Sequence, residues 1–226
     1  MEQMDSAMSG VAAARPERHA GYPGRVYITS AAERWIHWLL AASCVYLFMT
    51  GIGFMFHSFA FVPTFIGGHL IPKYAHNYAG LVFFASVVAA FAVWFRECRF
   101  QSYDRDWLRK GGGYLKEVHD LPEAGKYNAG QKLFFFIAVL AGAYMFATGL
   151  IMWFPLGFPK PLVRVCYLLH AAGAVLMGGA IIIHGFLGTF ANPGSVSAMM
   201  HGWVSRGWLK TQHGRYYREL KEKGQI

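Results

Sequence analysis

The stretch Val165 to Phe190, VCYLLHAAGAVLMGGAIIIHGFLGTF, holds no Asp, Glu, Lys or Arg but does hold two histidines, His170 and His184. A run this long and apolar predicts a helix that crosses a membrane, not the core helix of a water-soluble domain. The histidines lie fourteen positions apart. At 3.6 residues per turn, that spacing returns to within about 40° of one helix face and places the second ring roughly 21 Å further along the axis. One face therefore offers two imidazoles, one toward each membrane boundary.

Polar side chains inside a bilayer are costly and mark functional sites by default. A neutral imidazole nitrogen is a common ligand for iron, haem iron included. Two imidazoles on one face fit two stacked cofactors, provided other helices supply partners at matching depths.

The rest of the chain supplies the helices. Three further segments lack Asp, Glu, Lys and Arg: Ile36 to Phe56, Asn77 to Phe95 and Leu133 to Pro155. With the fourth, Val165 to Ala191, they predict an all-α membrane protein built as a four-transmembrane-helix bundle. Only 15% of the 226 residues are charged and 55% are hydrophobic, which suits a bundle with short connections. The expected division is an N-terminal tail over 1–30, a transmembrane domain over 31–192 and a basic tail over 193–226. The N-terminal tail, acidic early and without a compact apolar block, is not patterned as a cleaved signal peptide and reads as a solvated, partly disordered segment.

The net charge of +9 is distributed as topology. Basic residues gather before the first span, between the second and third, and after the fourth, whereas the other two connections hold only Lys73, Lys160 and Arg164. The positive-inside rule then places both termini and the central connection in the cytoplasm, where they also attract anionic membrane lipid. A nucleic-acid partner is disfavoured, because the basic footprint is split among three membrane-flanking segments. The cysteines, Cys44, Cys98 and Cys166, form neither C-x-x-C-H nor any iron-sulfur or zinc spacing. Cys44 and Cys166 are expected as small buried apolar groups.

On this topology His37, just inside the first span, lies at the depth of His184. His76, directly before the second span, lies at the depth of His170. Two pairs follow: His76 with His170 near the outer boundary and His37 with His184 near the inner one, each able to clamp a six-coordinate b-type haem. Six-coordination leaves no open iron position and favours electron transfer over catalysis at iron. His57 and His69 lie in the outer connection and read as surface histidines, with His69 in reserve for His76. His119, His201 and His213 are expected to be solvated. A faint repeat joins Thr50-Gly51-Ile52, followed by His76 and Gly80, to Thr148-Gly149-Leu150, followed by His170 and Gly173. Small residues beside a histidine would admit a flat macrocycle.

The central connection ends in GKYNAGQK, Gly125 to Lys132. Asn128, Gly130 and Gln131 bring amides and a flexible backbone that can bond a quinone's oxygens, although Asn128 can equally cap the third span. The C-terminal segment, with Trp203, Trp208, Tyr216 and Tyr217 among basic residues, reads as an interfacial helix on the cytoplasmic leaflet.

GKYNAGQK, the LLHAAG and IIIH segments around His170 and His184, and VSRGWLK followed by RYYREL together resemble the gamma subunits, cytochromes b556, of membrane-bound respiratory formate dehydrogenases. The resemblance covers nearly everything after about residue 25. It departs in the longer N-terminal tail and in the GGHLIPKYAH approach to His76. It implies two haem b groups, held by His76 with His170 near the periplasm and by His37 with His184 near the cytoplasm. It also implies a menaquinone or ubiquinone pocket at the inner haem, lined by Asn128, Gly130, Gln131 and the region of His184. The implied setting is multi-pass in the bacterial cell inner membrane. There an iron-sulfur beta subunit would deliver electrons from a molybdenum or tungsten alpha subunit that oxidises formate. This chain would then be the electron-transfer and quinone-reducing subunit of an oxidoreductase complex, with formate oxidation itself on another subunit. The neighbouring alternatives are the cytochrome b subunit of a hydrogenase or thiosulfate reductase, and a cofactor-free membrane anchor or transporter.

Overall fold

A computed structural model describes residues 24–65, 67–68, 70–113 and 123–226. Of the expected solvated N-terminal tail over 1–30, residues 1–23 lie outside the described residues, as do the reserve ligand His69 and His119, and its described end is not solvated, since Val26 and Thr29 are buried. Four long helices are apolar enough to cross a membrane: α1 (Ala31–Met55), α3 (Leu70–Trp94), α5 (Ala129–Trp153) and α6 (Lys160–Thr189). The fold is the expected helical membrane bundle. The shortest of these helices, at 25 residues, rises about 37 Å at 1.5 Å per residue, enough for a hydrocarbon layer of about 30 Å.

The helix boundaries differ from the uncharged segments. α3 begins at Leu70, not near Asn77. A lone Lys73 does not end a helix, since its long stem can carry the ammonium toward the interface. His76 is therefore inside α3, in its second turn, and not ahead of it. The connection before it forms a single 3-10 turn, His57–Phe59, and the short helix α2 (Phe61–Phe65).

Trp35–Arg99 together with Gln131–Leu187 form one compact unit, the bundle. Its centre is Cys44 of α1 with Phe83 and Val87 of α3, and Leu40, Leu47, Val139, Met177 and Ile181 pack around them. Cys166 is buried as well. Helices approach closely where a side chain is missing. A Cβ on Gly142 would stand 2.9 Å from Val87 Cγ2, and one on Gly178 would enter the ring of Phe48. Membrane helices associate through this kind of contact, because lipid offers no hydrophobic incentive to bring them together.

The described parts of Met1–Arg34, Phe100–Gly130 and Gly188–Ile226 form a second, smaller unit. Here the expected single interfacial helix is instead α7 (Ser195–His201), strand β2 (Trp203–Ser205), α8 (Arg206–Gln212) and α9 (Gly214–Glu222). Gly194 and Gly202, at φ 103° and 87°, adopt the left-handed backbone that breaks the helix at both ends of α7. β2 pairs antiparallel with β1 (Arg25–Tyr27), Val26 opposite Val204. The core is Val26, Ala198, Val204, Leu209 and Leu220. Ser30 and Glu33 begin α1 with a reciprocal capping box: the Ser30 hydroxyl accepts from Glu33 N at 3.2 Å, and Ser30 N donates to the Glu33 carboxylate at 2.7 Å. The short α4 (Ser102–Arg109) starts on a second box, made by Gln101 and Asp104.

Candidate functional site

His76 on α3 and His170 on α6 line one cavity of about 970 Å³ within the bundle. That volume lies in the usual range of cofactor pockets, roughly 300–1,000 Å³. Each ring is held by a threonine. The Thr50 oxygen stands 2.7 Å from His76 Nδ1, and the Thr148 oxygen 2.9 Å from His170 Nδ1. Each hydroxyl already donates its one hydrogen to a backbone carbonyl a turn earlier, Thr50 to Tyr46 at 2.8 Å and Thr148 to Tyr144 at 2.9 Å. With the hydroxyl hydrogens so directed, the imidazoles donate Nδ1–H to the threonines, His170 having the Met145 backbone as a further partner, which leaves the Nε2 lone pair of each free to bind a metal.

The residue after each threonine is glycine. A Cβ at Gly51 would stand 3.7 Å from His76 Cε1, and one at Gly149 would stand 3.2 Å from His170 Cε1. The repeated device is the threonine that orients the ring; at Gly149 the missing side chain also leaves the ring room, whereas a methyl at Gly51 would make an ordinary contact. Sequence reasoning noticed the Thr-Gly pairs but not that the hydroxyls are the partners of the histidines.

His37 on α1 and His184 on α6 face one another. Their ring centroids are 6.4 Å apart and their planes are inclined at 50°. A metal bonded to one nitrogen of each ring at about 2 Å, each nitrogen lying about 1 Å from its ring centre, needs centroids about 6 Å apart. The spacing fits. Phe134 stacks on His184 at 4.1 Å and 5°, and Trp38 meets His37 edge-on at 5.1 Å. His37 Nδ1 is buried and has no hydrogen-bond partner among the described residues. Nothing in the sequence singled out Phe134.

Among the described residues no three His, Cys, Asp or Glu come together as a metal cage. Imidazoles gathered in twos therefore suit a metal that brings its remaining ligands with it, as a porphyrin iron does. The donor chemistry and the cavity both fit such a group.

The third set is divided between the two units. Asn128, just before α5, is buried in the smaller unit. Its Oδ1 lies 3.3 Å from where a Cβ on Gly130 would stand, and Trp107 crowds the same spot at 3.0 Å. Gln131, the next residue of α5, belongs to the bundle. The residues before Asn128 are held by contacts that sequence reasoning did not find. Lys126 Nζ pairs with the Glu33 carboxylate at 3.2 Å. His213, expected to be solvated, is instead buried, with Nδ1 donating to the Gly125 carbonyl at 2.7 Å. Burial pushes its imidazole below the ordinary range, with the Gly125 bond acting in the opposite sense. Arg218 grips Glu123 through both carboxylate oxygens and holds that exposed carboxyl below its ordinary range. His57 and His201 are exposed, as expected.

Four membrane-spanning helices, with His76 and His170 lining one cavity and His37 facing His184, define a helical membrane protein that carries imidazoles within its bundle. Comparison with known proteins agrees: residues 28–202 match the model of the prokaryotic cytochrome b561 family, and the chain belongs to that family. It is 30% identical over 198 residues to the cytochrome b556(fdo) subunit of formate dehydrogenase from Escherichia coli strain K12, covering 85% of this chain and 92% of that one. It is 34% identical over 188 residues to the formate dehydrogenase cytochrome b556 subunit of Haemophilus influenzae, covering 81% and 78%. The cytochrome b556(Fdn) subunit of the nitrate-inducible formate dehydrogenase of E. coli strain K12 is 30% identical over 198 residues, covering 86% and 91%.

Proposed function

We propose that this chain is the di-haem cytochrome b subunit of a formate dehydrogenase complex in the bacterial inner membrane, carrying electrons across the bilayer to a quinone. The observation that carries the proposal is two sets of imidazoles in one four-helix bundle, His37 facing His184 and His76 sharing a cavity with His170. His76 and His170 would hold one haem b near the periplasmic side, and His37 and His184 a second near the cytoplasmic side. When bound, the two groups supply one-electron transfer with no iron position open to substrate.

The chain's own residues do the rest. Thr50 and Thr148 fix the tautomer of two ligands, and Gly149 leaves the His170 ring space. The lipid-facing helices keep bulk water away. The amide of Asn128 would bond an oxygen of menaquinone or ubiquinone, with Gly130 and Gln131 completing the acceptor site. Its protons would come from the cytoplasm, to which the basic flanks assign this end. The donor would be an iron-sulfur subunit serving a molybdenum or tungsten subunit that oxidises formate; the names of the relatives support a formate dehydrogenase complex.

The test is a reduced-minus-oxidised spectrum and haem determination on the detergent-purified protein and its copurifying partners. Two b-type haems per chain are expected, falling to one in His170→Ala and in His37→Ala. Asn128→Ala should slow quinone reduction while leaving haem reduction by the donor intact. A spectrum without b bands would leave only a membrane anchor. Copurification with a hydrogenase or thiosulfate reductase would reassign the donor.

A further inference from the structure

The two imidazole pairs differ in what stands behind them. Both rings of the His76/His170 pair donate Nδ1–H to a threonine oxygen, at 2.7 and 2.9 Å. In the other pair His37 Nδ1 is buried and meets no acceptor among the described residues. Thr50 and Thr148 are themselves buried, so no water competes for those hydrogen bonds.

A hydrogen bond donated from Nδ1–H leaves more electron density on Nε2 and makes the ring a more basic ligand. A more basic ligand stabilises oxidised iron more than reduced iron, and second-shell hydrogen bonding is one of the levers by which a protein sets a haem potential. Resting on the di-haem reading above, we propose that Thr50 and Thr148 are positioning residues that make the His76/His170 site the lower-potential of the two, so that electron flow toward the His37/His184 site runs downhill. The direction of transfer is then written into two hydroxyl groups on α1 and α5. Their place in the Thr-Gly repeat gives both rings of one site the same backing. No such pair precedes His37.

The test is an optical redox titration of purified protein that retains one site at a time. His37→Ala isolates the His76/His170 site and His170→Ala isolates the other. The first is expected to have the lower midpoint. In the His37→Ala background, Thr50→Val keeps the shape and removes the acceptor. At the parent protein's midpoint it should raise the reduced-to-oxidised ratio several-fold, a tenfold rise corresponding to about 59 mV for one electron. Thr148→Val should act in the same direction, and Thr50→Ser, which keeps the hydroxyl, should stay near the parent. Midpoints unmoved in both valine variants would overturn the proposal. So would a reversed order of the two single-site proteins, a comparison that touches neither threonine and stands even where a valine variant loses its haem. Absence of b-type haem from every form would instead sink the di-haem reading itself.

Discussion

In the smaller unit Leu209 and Val204 are 0% and 1% exposed, while in the bundle Leu176 and Leu140 are 75% and 70% exposed. The first pattern is a core hidden from water, with stability from apolar burial. The second is a surface meant for lipid, whose helices gain nothing from hiding leucine from hydrocarbon. What joins the bundle is close packing at glycine, the hydrogen bonds of buried threonines, and imidazoles that face each other across helices. The two regions should therefore fail for different reasons.

The largest difference is expected from Leu209→Ala. Truncating a fully buried leucine costs about 2–5 kcal/mol through lost transfer energy and the cavity left behind. Hydrogen exchange should quicken through β1, β2 and α7 to α9 while the b-type spectrum is retained. Equal loosening of both units would break the comparison. The converse change is Gly178→Leu, whose side chain would occupy the space of the Phe48 ring. Overpacking of this kind costs about 1–3 kcal/mol. It should lower the temperature at which the purified protein loses its haem absorbance, with protection of the Leu209 core unchanged.

The same contrast governs how much could be read from sequence. In a bilayer, hydropathy gives depth, and depth is enough to suggest His37 with His184 and His76 with His170 as pairs. The Thr-Gly repeat was visible too. That each threonine oxygen meets a ring 26 or 22 residues later was not, since spacing says nothing about which faces of two helices meet. The uncharged run from Asn77 does not show that α3 begins at Leu70, ahead of Lys73 and His76. The smaller unit gave less away. Its strands are three residues each and pair Arg25 with Ser205 across most of the chain, so no local period announces them. His213 sits in a basic segment and looked like a surface histidine. Only the fold of that segment buries it.

His213 sharpens the comparison by the smallest and most specific effect. Its ring is 3% exposed, 5.1 Å from the Trp208 ring, and bonded to the Gly125 carbonyl. Burial holds its pKa in the folded unit below that of the unfolded chain, about 6.5. Below that pH the unfolded chain binds a proton that the folded unit does not. Stability therefore rises with pH there. The contribution is complete above about 6.5 and is lost as pH falls, by at most about 1.4 kcal/mol per pH unit, until the folded ring is protonated as well. His213→Gln retains an amide donor for Gly125 and removes the titration. Comparing exchange rates of the Val204 and Leu209 amides in wild type and variant at each pH cancels the intrinsic rate. The wild-type-to-variant ratio is expected to climb as pH drops from 7 to 5. Parallel profiles would mean that the Gly125 contact is held by something other than a neutral imidazole.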